Sequence, residues 1–284
     1  TALAPRDQTG RAVGGVQSAQ ILAAAVGPLA GGVLAHTIGM RLTFVVTSAA
    51  CLVALLLLVF FYEEPQLVEA PAEVRRDGFG AVLALPGVLP LMATLFLVNF
   101  IGRSFTPILP LHLQRMAVPA TSLALSTGIL ISAYSVCAAI SAMLLGRATR
   151  RLEPRTLLVA TLVAGAAIVL PMGLVGRFPS FLGLAVLLGL AAGGSLTLCY
   201  TIGGLMVPTE RRTTAFGFFS GAALFGGAVS PSIAGLLTRV HFKAIYWADA
   251  GLYLLLALAL MPGVLAIRAR RPSPDVPAAA EESA

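Results

Sequence analysis

The chain has 284 residues, 58% of them hydrophobic and 11% charged, with a mean hydropathy of +0.92, whereas a soluble domain is about half apolar and about one quarter charged. Such a composition excludes a soluble globular domain. The net charge of +7 does not point to nucleic acid either: all the bases but Lys243 are Arg, and they fall in short clusters between long apolar runs, as membrane-flanking anchors do.

Crossing the hydrocarbon core takes about 20 mostly apolar residues per helix. Eight runs qualify: Val13 to Ala35, Leu42 to Phe61, Val88 to Leu113, Ser122 to Leu145, Leu157 to Val175, Ser180 to Val207, Thr214 to Thr238 and Ile245 to Ile267. None alternates polar and apolar residues as a barrel strand does, so all are read as helices and the fold class is an all-α membrane protein. Most joints are short, which makes neighbours antiparallel. The exception is 63–80, acidic and proline-containing, read as a cytoplasmic linker between residues 1–62 and a six-helix unit at 81–267; residues 268–284 read as a disordered cytoplasmic tail.

In the first run Ala23, Gly27, Gly31 and Gly32 form a stripe of small residues, and Pro28 removes a helical hydrogen bond, so this helix can bend against a close neighbour. In the third, Arg103 is a fixed cation well inside its span that needs a partner or water. Asn99 lies one turn before it on the same face, and Pro107 and Pro110 weaken the helix beyond it. Cavity lining is expected for Arg103 and Asn99, with snorkelling or a structural pair as the alternative. Among the aromatic residues of the spans, which include Tyr200 and Phe216, those favoured for a substrate pocket are Phe100, Tyr134 and Phe218. The loop from Gly146 through Arg150 and Arg151 to Arg155 is strongly basic, as an anchor to anionic cytoplasmic lipid would be. Asp249 is the only carboxylate within a span; its place near Lys243 predicts an interfacial ion pair. His36, His112 and His241 fall near helix ends, and Cys51, Cys137 and Cys199 lie far apart inside apolar runs, so no metal site, disulfide framework or cofactor is expected. No phosphate-binding glycine loop or catalytic Ser, His and Asp grouping is visible, which disfavours an enzyme or an ATP-driven pump.

Orientation follows the bases. Thirteen arginines fall on the side shared by both chain ends and five bases on the other, with Arg103 inside a span; both termini are expected in the cytoplasm, for a multi-pass protein of the cell inner membrane.

An internal repeat runs at an offset of 203 residues: Pro5 and Pro28 meet Pro208 and Pro231, Gly32 meets Gly235, and nine of thirty positions from 5 to 34 are identical. If the first and seventh spans are counterparts, the unit has six helices, the second unit is complete, and the first retains only its last two. Four preceding helices, required for function, are then expected to be absent from this chain.

The run Ala23-x3-Gly27-Pro28-x2-Gly31-Gly32 resembles the GxxxGPxxGG motif on the fifth helix of drug:proton antiporters of the major facilitator superfamily. Gly39-Met40-Arg41-Leu42-Thr43-Phe44 resembles the turn that follows it, and Gly146 to Arg155 the loop between helices eight and nine, with Arg150 in the usual Asp position and Glu153 in the usual Gly position. Within the family the chain is most similar to bacterial multidrug efflux pumps. The resemblance implies a helical bundle whose motif helix, together with Pro231 and Gly235 on the seventh span, seals one side between two halves. It also implies proton-coupled efflux of small lipophilic molecules by alternating access, with the main coupling carboxylate on the absent helices. Two alternatives stay open: an importer or facilitator of an anionic metabolite recognised by Arg103, and a non-transporting membrane protein that inherited the fold. The expected partners are the bilayer, a small-molecule substrate and protons.

Overall fold

The computed structural model describes residues 9–61, 79–208 and 211–269, and every regular element among them is helical. In chain order these are α1 (Thr9–Thr37), α2 (Gly39–Phe61), α3 (Phe79–Leu83), α4 (Val88–Ser104), α5 (Leu109–Arg115), α6 (Leu123–Ala148), α7 (Pro154–Met172), α8 (Phe178–Ala192), α9 (Ser195–Met206), α10 (Arg212–Val240) and α11 (Ala244–Ala269). The linker expected at 63–80 and the tail at 268–284 lie almost wholly outside the described residues.

Two spans are broken. Val88–Arg115 is one apolar crossing interrupted between α4 and α5, where Pro107 has no N–H to give. There the chain makes tight turns, Ile108 N–H to the Phe105 carbonyl at 3.2 Å and Leu109 N–H to that of Thr106 at 3.3 Å. Phe178–Met206 is a second crossing, interrupted at Gly193 and Gly194. A Cβ on Gly193 would run into Ala138 of α6, and one on Gly194 would sit 3.1 Å from the Ala142 Cα. The glycine pair thus lets the bent span lie directly on α6.

With those breaks healed, seven crossings meet the length and apolarity a membrane requires. The eighth is α1, whose 29 residues reach about 44 Å at 1.5 Å per residue and whose Leu22–Thr37 stretch is apolar. The eight expected crossings are therefore all helical in the structure.

Helices α4 to α11 form one bundle, in which α10 lies along α4, α11 along α7 and α6 along α8. Its centre holds Leu95, Leu109, Leu113, Leu130, Leu162, Met172, Phe181 and Phe219, all without solvent-accessible surface. In lipid, burying apolar side chains gains little over leaving them in the acyl chains, so close packing and interhelical hydrogen bonds decide which helices associate. Such bonds recur here: Ser195 Oγ donates to Thr161 Oγ1 at 3.1 Å between α9 and α7, and Ser230 Oγ to the Phe100 carbonyl at 2.6 Å between α10 and α4. Helix α1 joins the bundle along α6. Helix α2 packs on α1, to which the left-handed Gly39 (φ 83°) connects it, and none of its residues is buried.

Candidate functional site

The closest approach between α1 and the bundle is an antiparallel seam with α6. A Cβ on Gly32 would sit 2.8 Å from the Ala124 carbonyl oxygen and 3.3 Å from the Gly128 Cα; a Cβ on Gly128 would overlap the Pro28 carbonyl. Only glycine at both places allows this contact. Because Pro28 has no N–H, the helix is weakened there. The next N–H, that of Leu29, is donated across the seam to Ser132 Oγ at 2.9 Å, and further along His36 Nδ1 lies 2.5 Å from the Thr121 carbonyl. The seam thus occupies the end of α1 at Thr37 and the start of α6.

At its other end, the end of the Arg147 to Arg155 loop, the same helix pair diverges into a cavity of about 1160 Å³. Leu22 and Ala25 of α1, Val136, Ile140 and Met143 of α6, Thr197, Tyr200 and Thr201 of α9 and Phe216 and Ser220 of α10 line it. Tyr200 and Phe216 stack at 5.9 Å between ring centroids, 21° from parallel, and the Tyr200 hydroxyl donates to Ser220 Oγ at 3.5 Å. Among the described residues the lining carries hydroxyls and aromatic faces but no charged side chain, a surface suited to a lipophilic molecule with a hydrogen-bonding or cationic group.

The residues expected to bind substrate fall elsewhere. Asn99 and Arg103 share a face of α4 against α10: a Cβ on Gly227 would lie 3.4 Å from Asn99 Nδ2 and 3.5 Å from Arg103 Cγ. The Asn99 amide donates to the Ala223 carbonyl at 2.5 Å, so it ties two helices together. Arg103 is exposed and makes no ion pair among the described residues. Phe100 is buried and stacks at 6.2 Å on Phe96. Tyr134 is half-buried, edge-on to Phe105 at 5.8 Å. Phe218 packs against the bundle interior, on the side of α10 away from Phe216 and Ser220. Tyr200 and Phe216 line the cavity; their signal in the sequence is an aromatic close to glycine in an apolar span, which many lipid-facing positions share.

The small-residue stripe of α1 divides in two. Gly32 and the Pro28 carbonyl enter the seam, whereas Ala23 is exposed and Gly27 and Gly31 have nothing within 4 Å. The counterpart α10 uses its other side. Ala223, Gly226 and Ser230 meet α4, with Gly226 pressed on the Phe96 carbonyl, while Pro231 is exposed and Gly235 has nothing within 4 Å. At the 203-residue offset each helix leaves bare the face its counterpart fills. Gly146 has open space around it, and Arg150 and Arg151 are exposed. Arg155 turns inward to line a cavity of about 170 Å³ with Gly87, Pro90, Thr94 and Met206.

Asp249 departs from expectation. No ion pair with the exposed Lys243 forms; the carboxylate is 2% exposed and hydrogen-bonded to Ser104. Because α11 begins at Ala244, Asp249 lies more than a turn inside the helix, facing the C-terminal end of α4. His112 is likewise buried, its Nδ1 2.5 Å from the Tyr246 hydroxyl and its ring 4.7 Å from that of Phe181. Tyr246, Asp249 and Tyr253, at helical spacing on an otherwise apolar helix, are the pattern from which an inward polar face could have been read.

Among the described residues, seven apolar crossings and the shorter apolar stretch of α1, broken at glycine and proline and bordering a cavity at one end, make an all-helical membrane bundle. The sequence profile of the Major Facilitator Superfamily matches residues 1–127 and again residues 117–284, and the chain belongs to that family. It is 29% identical over 258 residues to the multidrug resistance protein MdtG of Citrobacter koseri, covering 89% of this chain and 63% of that protein. It is 29% identical to MdtG of Klebsiella pneumoniae over 89% of this chain and 62% of that one, and 28% identical to MdtG of Salmonella typhimurium over 89% and 64%. The chain thus spans somewhat under two thirds of the length of these relatives.

Proposed function

We propose that the protein containing this chain exports small lipophilic molecules across the cell inner membrane by alternating access, driven by protons, without chemical change to its cargo. The observation that carries this reading is the asymmetry of one helix pair. Helices α1 and α6 are in backbone contact at Gly32 and Gly128 and part, at the arginine-loop end, into an aromatic-walled cavity whose lining is uncharged among the described residues. The arginine distribution supports cytoplasmic termini, and in that orientation the pump is closed outward and open inward. The relatives' name, multidrug resistance protein, supports a drug-like cargo. Residues 1–62 form the end of one half and 81–267 the other.

The bare faces of α1 and α10 support a completion of the bundle by four further helices ahead of α1. In a pseudo-twofold assembly the counterpart of α4 covers Ala23 and Gly27, and the counterpart of α6 covers Pro231 and Gly235. Arg103, exposed on α4 and unpaired among the described residues, then faces those helices or the water between the halves.

The test uses the reading frame that carries this chain together with whatever precedes Thr1, expressed in inside-out vesicles. Acidifying the lumen is expected to drive accumulation of a lipophilic cationic dye, and a protonophore to abolish it. Accumulation of anions alone would favour the importer alternative, and no gradient-dependent flux with any compound would refute transport.

A further inference from the structure

We propose that Asp249 and Ser104 form a proton-binding site within the six-helix unit, and that its protonation is tied to the joint between α4 and α5. The argument is a count of hydrogens. Ser104 Oγ is within hydrogen-bond reach of two oxygens, the Ile101 carbonyl at 2.8 Å and Asp249 Oδ2. A hydroxyl carries one hydrogen, and a carbonyl or an ionised carboxylate carries none. If Asp249 is ionised, one contact is left with two lone pairs facing each other. If Oδ2 bears a proton, Asp249 donates to Ser104, Ser104 donates to the Ile101 carbonyl, and both contacts are satisfied.

The surroundings agree. Asp249 and Ser104 are both almost fully buried, and a lone carboxylate inside a membrane bundle costs several kcal/mol unless a cation or water compensates. No cation does so among the described residues. On α11, Tyr246 and Tyr253 lie within electrostatic range of Asp249. Helix α5 contributes His112, held by Tyr246, and α6 contributes Tyr134, within electrostatic range of Tyr253 and Arg103. Arg103 of α4 adjoins Ser104 in sequence but is exposed. Helix α7 approaches Tyr253 at Gly165, and its C-cap Gly173 approaches Tyr246; its one ionisable residue, Arg155, is at its far end. Helix α10 has Arg212 and Arg239 at its two ends.

The consequence for the joint follows from which carbonyl is involved. Ile101 lies in the last turn of α4, directly before the break that spans Phe105 to Ile108. When Asp249 releases its proton to water, the Ser104 hydrogen turns from the Ile101 carbonyl to the carboxylate, and the end of α4 loses a hydrogen bond. One proton is taken up or released, and no covalent bond other than that O–H forms or breaks. Because the two events share one hydrogen, a shift at the joint changes proton affinity, and protonation biases the joint. The use of this site to drive export rests on the function proposed above; the site itself does not.

Infrared spectroscopy of the chain in lipid nanodiscs at neutral pH provides the test. The expected result is a C=O band of a protonated carboxyl that disappears in Asp249→Asn. In Ser104→Ala it persists at higher wavenumber, having lost its hydrogen-bond partner. No such band, or one that survives Asp249→Asn, would overturn the site; if that variant does not fold, an unshifted band in Ser104→Ala overturns it equally. In the vesicle assay Asp249→Asn is expected to reduce gradient-driven accumulation at least tenfold while leaving gradient-free exchange of dye intact. Unchanged gradient-driven accumulation would overturn the coupling role and leave export standing, whereas absence of flux in the unmodified protein would strike export and not the infrared result.

Discussion

Ser132 on α6 accepts a hydrogen bond at 2.9 Å from the main-chain N–H of Leu29, the residue that follows Pro28 on α1. The weakest point of one helix is thereby tied to a side chain of its neighbour. Replacing Ser132 by alanine removes the acceptor and leaves the proline bend without its anchor. A neutral hydrogen bond contributes about 1 kcal/mol net, so Ser132→Ala should lower thermal stability only slightly. It should nonetheless loosen the seam, measured as faster reaction of an Ala25→Cys reporter with an impermeant thiol reagent added from the side at which α1 ends.

Gly128 has no such tolerance. Any side chain there meets the Pro28 carbonyl and the Gly32 Cα. Gly128→Val should part α1 from α6, with an overpacking cost of roughly 1 to 3 kcal/mol, a lower melting temperature in detergent and loss of gradient-driven accumulation. Gly27→Ala should leave the melting temperature of this chain unchanged, since nothing lies within 4 Å of Gly27.

Tyr246→Phe tests the buried pair with His112. The ring packing against Phe181 is kept while the hydroxyl partner of Nδ1 is lost. An orphaned buried polar group costs about 1 to 3 kcal/mol, so a clear fall in melting temperature is expected, partly restored by converting His112 to an apolar residue of similar size. A melting temperature unaffected by Tyr246→Phe would show that the pair contributes nothing.

Arg103→Gln should leave stability within about 0.5 kcal/mol, as for exposed positions without a specific role, because the side chain is exposed and unpaired among the described residues. Its effect is expected on cargo: in the vesicle assay the ratio of cationic to anionic dye accumulated should rise several-fold. A large stability loss with an unchanged ratio would instead mark Arg103 as a structural residue.

The crossings were legible in the sequence because lipid demands long apolar runs, and the α4 to α5 break because Pro107 and Pro110 announce it. The break at Gly193 and Gly194 was not, since glycine in a membrane helix signals close packing and bending alike. The repeat between Pro28 and Pro231 pairs α1 with α10, but a linear alignment has no face, and in the structure the two helices present opposite sides to their neighbours. Asp249 was misread for a related reason. Only five residues lie between it and Lys243, yet the helix begins between them and turns the carboxylate inward to Ser104, 145 positions away. Nothing in the sequence lifts the cavity aromatics Tyr200 and Phe216 above Phe100 and Phe218, because apolar spans carry no periodic polar face from which to choose.

The account depends most on α1 and α6 separating where they now touch. In the full reading frame, with Cys51, Cys137 and Cys199 replaced, cysteines at His36 and Thr121 would span the closed end of the seam. Bridging them with a short crosslinker is predicted to abolish gradient-driven accumulation of dye, with full recovery when the bridge is cleaved. Undiminished accumulation with the bridge intact would contradict alternating access at this seam.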